Sequence, residues 1–126
     1  MRTRLLNILF VTAAAMLVAP SIQAANLRFL NYTPITYLKA KDNTSLHKAA
    51  GEVLDNKKDG EKVDWNNDGL GNATRVNAEI SANNTTTVAD KTCRDLNIVL
   101  HAKGQDQALT LQVCKAKAGK WELVKK

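Results

Sequence analysis

The chain contains two cysteines, Cys93 and Cys114. They are too far apart for the Cys-x-x-Cys motif that redox-active pairs use. If the chain is exported, an even number of cysteines predicts a structural disulfide between them, with two free thiols as the alternative. By the chain-entropy relation, a bridge closing residues 93–114 would stabilise the fold by about 3 kcal/mol.

Two histidines, His47 and His101, are the other candidate metal ligands or catalytic bases. Their spacing from the cysteines matches no compact zinc site. No serine or cysteine nucleophile stands beside either histidine in a recognisable arrangement. We therefore predict no catalytic residue, no cofactor and no metal site, and we expect the protein not to be an enzyme.

The run Asp64-x-Asn66-x-Asp68-Gly69 copies the first half of an EF-hand calcium loop. Such a loop needs a bidentate glutamate at its last position, where this chain has Arg75. Asp68-Gly69 is also a strong turn signal between two strands. A turn therefore explains these residues better than a calcium site.

The N-terminus predicts a secretory signal peptide over residues 1–24. Arg2 and Arg4 precede an apolar run from Leu5 to Val18, and Ala24 offers a small residue at the cleavage position. The apolar run is short for a membrane span, although a retained membrane anchor is the alternative. We expect an exported protein that is periplasmic, associated with the outer membrane or secreted, with no transmembrane span in its mature part.

Apolar spacing predicts one amphipathic helix in the mature chain, from about Thr44 to Asn56. Candidate N-cap residues occupy positions 42–45, and residues 25–41 are expected to be an extended lead-in. The apolar helix positions follow i, i+3, i+4, i+7, i+8, namely Leu46, Ala49, Ala50, Val53 and Leu54.

Beyond the helix the apolar period changes to two, which predicts strands. We expect strands near residues 62–66, 74–80, 92–102 and 108–116, with residues 81–87 as a polar loop or frayed strand end. Trp121 and Leu123 would extend the fourth strand or form a short fifth one.

The last two long strands provide a check on the disulfide. If Lys103-Gly104 is a two-residue turn, Leu96 faces Leu111, Ile98 faces Leu109, and the two cysteines face each other. A longer turn would make the bridge diagonal. In either register the cysteines lie opposite the apolar face. The predicted fold is α+β: one helix packed on a four-stranded antiparallel meander, with residues 42–126 as one domain.

Several segments together resemble the C-terminal domain of the bacterial 17 kDa outer-membrane surface-antigen family. The most specific are Cys93-Arg94 and Gly119-Lys120-Trp121, which frame the last hairpin. The similarity covers about residues 34–124 and includes Tyr37-Leu38, Asp42, Leu46, Leu54-Asp55, Asp59-Gly60, Val63-Asp64-Trp65, Asn67, Gly71, Val113-Cys114-Lys115 and Glu122-Leu123-Val124. The lipobox and glycine-rich segment common in that family are missing, and Lys115 and Ala118 replace the usual arginine and aspartate. The resemblance implies a protein of the cell envelope. It implies no enzyme activity.

The formal net charge is +6, with basic residues gathered at the C-terminus: Lys115, Lys117, Lys120, Lys125 and Lys126. Solvated lysines explain this pattern most simply, while weak contact with anionic envelope polymers is the functional alternative. Export and the lack of an aromatic stacking platform argue against nucleic acid. We expect a non-catalytic envelope domain that contacts another envelope component or protein; the alternative is a soluble inhibitor of an enzyme.

Overall fold

The computed structural model describes residues 33–124. The predicted signal peptide and residues 25–32 of the lead-in lie outside this range. A 3-10 helix (Pro34–Tyr37) precedes α1 (Ala40–Asn56), which is followed by β1 (Val63–Asn66), β2 (Val76–Val88), β3 (Lys91–Ala102), β4 (Gln105–Ala116) and β5 (Glu122–Leu123). None of the helices within residues 33–124 has the length and apolar character needed to cross a membrane.

The helix is longer at its N-terminus than the sequence predicted. It begins at Ala40, with Lys39 as the N-cap, so Asp42 lies inside the first turn. The backbone N–H of Lys39 donates to Asp42 Oδ2 at 2.9 Å, which is half of a capping box. The lead-in is also not extended throughout, because Pro34 begins a 3-10 turn. The apolar periodicity missed this first turn because its side chains are polar.

Asp42 is fully buried despite its charge. Burial alone would raise its pKa, but hydrogen bonds from the Lys39 backbone and from the Asn72 and Asn67 side chains, with the nearby Lys39 charge, leave the pKa lowered. Asn72 also donates to the carbonyl oxygen of Tyr37 at 2.8 Å. These hydrogen bonds connect the start of α1 to the loop before β2.

The five strands form one antiparallel meander in the order β1-β2-β3-β4-β5. This confirms the predicted α+β fold, with β5 as the short fifth strand. Cys93 pairs with Cys114, Leu96 with Leu111 and Ile98 with Leu109 in the β3–β4 register, as the two-residue turn predicted. Lys103 and Gly104 both have positive φ, as a type I′ turn requires.

The helix packs its apolar face on the sheet. Leu46, Ala50, Val53 and Leu54 are buried against β1 to β3, and Ala49 is partly buried. The core from the strands comprises Trp65, Val76, Ala78, Ile80, Ala82, Leu96, Ile98, Leu100, Ala102 and Val113. Leu109 and Leu111, which pair with core residues of β3, are only partly buried. Most of the buried apolar surface therefore lies between α1 and the first three strands.

Residues 81–87, which were expected to be a polar loop or a frayed strand end, are the second half of β2, which continues to Val88. The pairing with β3 shifts by one position between Asn83 and Thr86, and Asn84 in the shifted stretch has a φ of 50°. This is a β-bulge. The polar side chains are compatible with the strand because they have partners: Asn84 Nδ2, for example, donates to Asp95 at 2.8 Å.

The β1–β2 connection is a nine-position loop organised by buried Asn67, rather than a tight hairpin at Asp68-Gly69. Asn67 Oδ1 accepts from the N–H of Val76 at 2.9 Å, and its Nδ2 donates to the carbonyl of Thr74 at 2.9 Å. The side chain thus satisfies backbone groups that no strand partner reaches.

A candidate binding groove beside a buried arginine

An open groove of about 910 Å³ lies where the C-terminal end of α1 meets the β2–β3 hairpin and the end of β4. We call it the basic groove. Its walls are Leu54, Asp55, Lys57, Lys58, Asp59, Thr85, Thr87, Ala89, Asp90, Thr92, Arg94, Lys115, Ala116, Lys117 and Trp121. Three parts of the sequence that are far apart therefore form one surface.

Arg94 forms the base of this groove and is buried, with only 5% of its surface exposed. Its Nη1 donates to the carbonyl oxygens of Val53 and Leu54 at 3.2 and 2.7 Å. Its Nη2 donates to the carbonyl of Lys57 at 2.8 Å and to Asp59 at 3.0 Å.

The guanidinium Nε completes the set by donating to Thr85 Oγ1 at 2.8 Å. A guanidinium has five N–H donors, so all of them are used within the fold. Arg94 therefore caps the C-terminus of α1, where a cation also suits the helix dipole. Its role is to position the groove, and it has no donor left for a ligand.

Asp59 links this cap to the bulge of β2. Its carboxylate accepts hydrogen bonds from the hydroxyl and the backbone N–H of Thr85, and it pairs with Arg94. These contacts, the Thr85 hydroxyl first, hold the pKa of Asp59 below its ordinary value. Asp59 is therefore an ionised structural acceptor at neutral pH.

Trp121 forms the opposite wall and is fixed by Asp55. The indole Nε1 donates to Asp55 Oδ1 at 2.8 Å, and Lys115 Nζ lies 3.4 Å from the same oxygen and 5.8 Å from the ring centroid. The Trp121 hydrogen bond, with the contact and charge of Lys115, lowers the pKa of Asp55 against a smaller opposing effect of burial. The ring is thus held in place by a charge-assisted hydrogen bond and a cation–π contact.

The rim of the basic groove carries an excess of positive charge. Lys57, Lys58 and Lys117 are exposed and make no ion pair with another side chain among residues 33–124. The carboxylate of Asp90 offsets part of this positive charge. The other two acidic residues that line the groove, Asp55 and Asp59, are paired with Lys115 and Arg94. The hydroxyls of Thr87 and Thr92, 3.3 Å apart, add hydrogen-bonding groups to the floor.

The predicted disulfide is confirmed. Cys93 and Cys114 are joined with an Sγ–Sγ distance of 2.11 Å. They alternate with the inward-facing Arg94 and Val113, which are paired directly across the same two strands. The bridge therefore locks β3 to β4 one position from the arginine that holds the helix end.

The other residues singled out in the sequence lie elsewhere. His47 is exposed on α1, and His101 pairs with Asp106 across the β3–β4 hairpin. Asn66 Oδ1 accepts from the N–H of Asp68 at 3.0 Å in a turn. Within the described part of the chain, no group of three or more His, Cys, Asp or Glu side chains is placed to hold a metal ion.

The sequence alternation puts Arg94 in the same row of β3 as Leu96 and Ile98, but no role was predicted for it. A charged residue in an otherwise apolar row of a strand indicates a buried charge, and a buried charge needs partners. The partners themselves could not be identified, because three are backbone carbonyls of α1. Nothing in the sequence indicated that Lys57 and Lys58 line the same groove as Lys115 and Lys117.

In comparisons with known proteins, no protein-family model, no curated protein and no solved structure matches this chain significantly.

Proposed function

We propose that the protein is an exported, non-catalytic domain of the cell envelope that acts by contact, and that the basic groove is its contact site for anionic envelope polymers. The observation that carries this proposal is a set of three lysines, without an ion pair among residues 33–124, around a groove whose wall is a fixed indole ring. Polymers bearing carboxylate or phosphate groups match this surface in charge. The resemblance to the surface-antigen family supports the same setting.

The charge arrangement supports an anionic ligand over a cationic one. Lys57 and Lys58 approach from the end of α1, whereas Lys117 follows β4. Lysines that converge from separate elements concentrate positive potential in one concave surface. Trp121 beside them is partly buried, and the exposed part of its ring is apolar surface against which a sugar ring can pack while its acidic group meets an ammonium. A glycan carrying acidic groups uses both features.

The state of the groove carboxylates supports a binding role over catalysis. The pKa values of Asp55 and Asp59 are both lowered by hydrogen bonds and by paired cations. A general acid or base works best with a pKa near the operating pH, which requires a shift in the opposite direction for a carboxylate. These two groups hold Trp121 and Arg94 in place instead.

The groove is also built to keep its shape. Arg94 ties the end of α1 to β3, and the disulfide ties β3 to β4. A ligand that meets a preorganised surface loses less free energy to ordering the protein. The predicted signal peptide and this disulfide both suit a protein that folds in an oxidising compartment outside the cytoplasm.

Retention on isolated cell envelopes tests the proposal. We would compare co-sedimentation of the mature protein with that of a triple variant, Lys57→Gln, Lys58→Gln and Lys117→Gln. A triple variant with the same charge change away from the groove is the matched control: Lys41→Gln, Lys48→Gln and Lys62→Gln. We expect the groove variant to lose retention and the control to keep it, with added salt weakening both wild type and control. Equal loss in the two variants would contradict a site in the groove, and a wild-type protein that stays free would contradict the envelope role.

A further inference from the structure

The outer edge of β4 has no backbone partner over most of its length within residues 33–124. β5 pairs only with Val113 and Cys114, and no described strand pairs with residues 105–111 on that side. In an antiparallel pair, alternate residues direct their N–H and C=O groups away from the partner strand. The carbonyl of Gln112 does so, because it accepts from the N–H of Val124 at 2.9 Å. By the same alternation, the outward-directed residues of the open stretch are Asp106, Ala108 and Thr110.

The opposite edge of the sheet is covered by the chain itself. β1 has only four residues, and β2 extends past it. There the N–H of Gly60 donates to the carbonyl of Ala82, and the N–H of Thr85 donates to Asp59. Open sheet edges are templates for unwanted pairing, and a covering segment is one common protection. On β4, residues 106–111 need a protection of the same kind.

The first described residues hold the chain beside this open edge. Pro34 is fully buried, and the N–H of Ile35 donates to Gln107 Oε1 at 3.0 Å. Gln107 lies near the start of β4, close to the turn from β3. The residues just before Thr33 are therefore tethered at this end of the open stretch. A segment that runs along β4 and ends at this point is antiparallel to β4.

The sequence of residues 27–32 matches the open stretch in length and in character. It reads Leu-Arg-Phe-Leu-Asn-Tyr, without proline, and spans about 20 Å when extended. Residues 106–111 are equally long. With Tyr32 opposite Asp106, the inward pairs are Phe29 with Leu109, Leu27 with Leu111 and Asn31 with Gln107. Apolar residues then face apolar residues and an amide faces an amide, which is the pairing that stabilises a sheet.

Leu109 and Leu111 favour an apolar partner. Both lie on the inward face of the sheet but are only partly buried, because α1 packs mainly on β1 to β3. A strand carrying Leu27 and Phe29 on the same face extends the apolar layer beside them. The outward-directed backbone groups of β4 gain partners in the same step.

We infer that residues 27–32 form a sixth strand on the outer edge of β4, paired antiparallel with residues 106–111 of the same chain. The backbones of Arg28, Leu30 and Tyr32 bond those of Thr110, Ala108 and Asp106. A segment tethered at Pro34 meets this edge at a far higher effective concentration than a separate protein does.

This inference is independent of the proposed function. The basic groove is formed by the helix end, the β2–β3 hairpin and residues 115–121, whereas the added strand ends opposite residue 111. Loss of the strand leaves the lysines of the groove in place, so the two proposals fail separately.

Amide hydrogen exchange of the full mature protein tests the inference. Arg28→Pro removes the N–H that bonds the carbonyl of Thr110, whereas Arg28→Ala keeps it. Asn31→Pro is the matched control, because the N–H of residue 31 faces away from β4 and an edge strand tolerates proline there. We expect Arg28→Pro to speed exchange of the Ala108 and Thr110 amides by about tenfold or more, since local opening becomes easier. Both other variants should exchange as wild type does.

Two further measurements complete the test. The Ile98 amide, inside the sheet between β2 and β4, reports whether each variant is folded. In wild type we expect nuclear Overhauser effects between the Phe29 ring and the Leu109 methyl groups, at all protein concentrations. Ala108 and Thr110 amides that exchange as fast in wild type as in Arg28→Pro would overturn the inference. Protection that appears only as the concentration rises would assign the edge to a second copy and overturn it as well.

Discussion

Replacing Arg94 with alanine removes five hydrogen bonds from the junction of α1, β2 and β3. Three of the acceptors are carbonyl oxygens at the end of α1, and α1 buries Val53 and Leu54 next to them. Breaking a buried, paired charge typically costs about 3–5 kcal/mol. A small domain has a total stability of only about 5–15 kcal/mol, so we expect Arg94→Ala to be near the limit of folding.

The conservative variant separates charge from geometry. Arg94→Lys keeps the positive charge but offers three donors in place of five. At least two acceptors then lose their partner, each at a cost of about 1–3 kcal/mol if water cannot reach it. The groove is open, so some of these carbonyls can be hydrated. We therefore expect Arg94→Lys to lose about 1–3 kcal/mol, clearly less than Arg94→Ala.

Urea unfolding of the disulfide-intact protein measures these losses as shifts of the midpoint at constant slope. Arg75→Ala is the control, because Arg75 is an exposed arginine in a surface ion pair with Asp68, worth about 0–1 kcal/mol. Asp59→Asn should lose less than Arg94→Ala, since the Asp59 side chain is 46% exposed and water replaces part of its contacts. If Asp59→Asn matches Arg94→Ala, or Arg94→Ala matches Arg75→Ala, the helix-capping role is wrong.

Three further perturbations have defined outcomes. Reduction of Cys93–Cys114 should add two hydrogens by mass and lower the free energy of unfolding by about 3 kcal/mol; an unchanged melting temperature would contradict a structural bridge. Acidification should destabilise the fold as the pH falls below the ordinary aspartate pKa of 3.8. The pKa values of Asp42, Asp55 and Asp59 are lowered in the folded state, so the unfolded chain binds more protons than the folded chain in this pH range. Stability that rises between pH 4 and pH 2 in urea titrations would refute this sign. Asp42→Ala should lower the melting temperature by removing the Lys39 and Asn72 contacts, and an unchanged value would show that the network at the start of α1 adds no stability.

The parts of the fold that follow from period and turn chemistry were predictable. The register of β3 and β4 came from matching Leu96 with Leu111 and from the Lys103-Gly104 turn, and it brought the cysteines together. The first turn of α1 and the second half of β2 were missed for a shared reason. Most of their residues are polar, and these polar side chains have tertiary partners such as Asn72 for Asp42 and Asp95 for Asn84.

The candidate site was less accessible to sequence reasoning than the fold. Lys115 and Lys117 were recognised as basic, but their position beside Lys57 and Lys58 depends on where the end of α1 packs against the sheet. Arg94 holds that helix end through hydrogen bonds to backbone carbonyls, which leave no pattern in side-chain types. Asn67 is a similar case, because it pairs with the backbone of Val76.

The side-chain N–H signals of the two tryptophans test the central claim most directly. Trp121 lines the basic groove, whereas the Nε1 of buried Trp65 donates to Ser45 at 3.0 Å beneath the helix and is an internal reference. In a ¹H–¹⁵N titration with a soluble polyuronate, we predict a saturable shift of the Trp121 indole signal and of the Lys57, Lys58 and Thr87 amides, with Trp65 unmoved. A neutral dextran of the same length should move none of them. An unmoved Trp121 signal at saturating polyuronate, or shifts confined to the outer face of the sheet, would contradict the account.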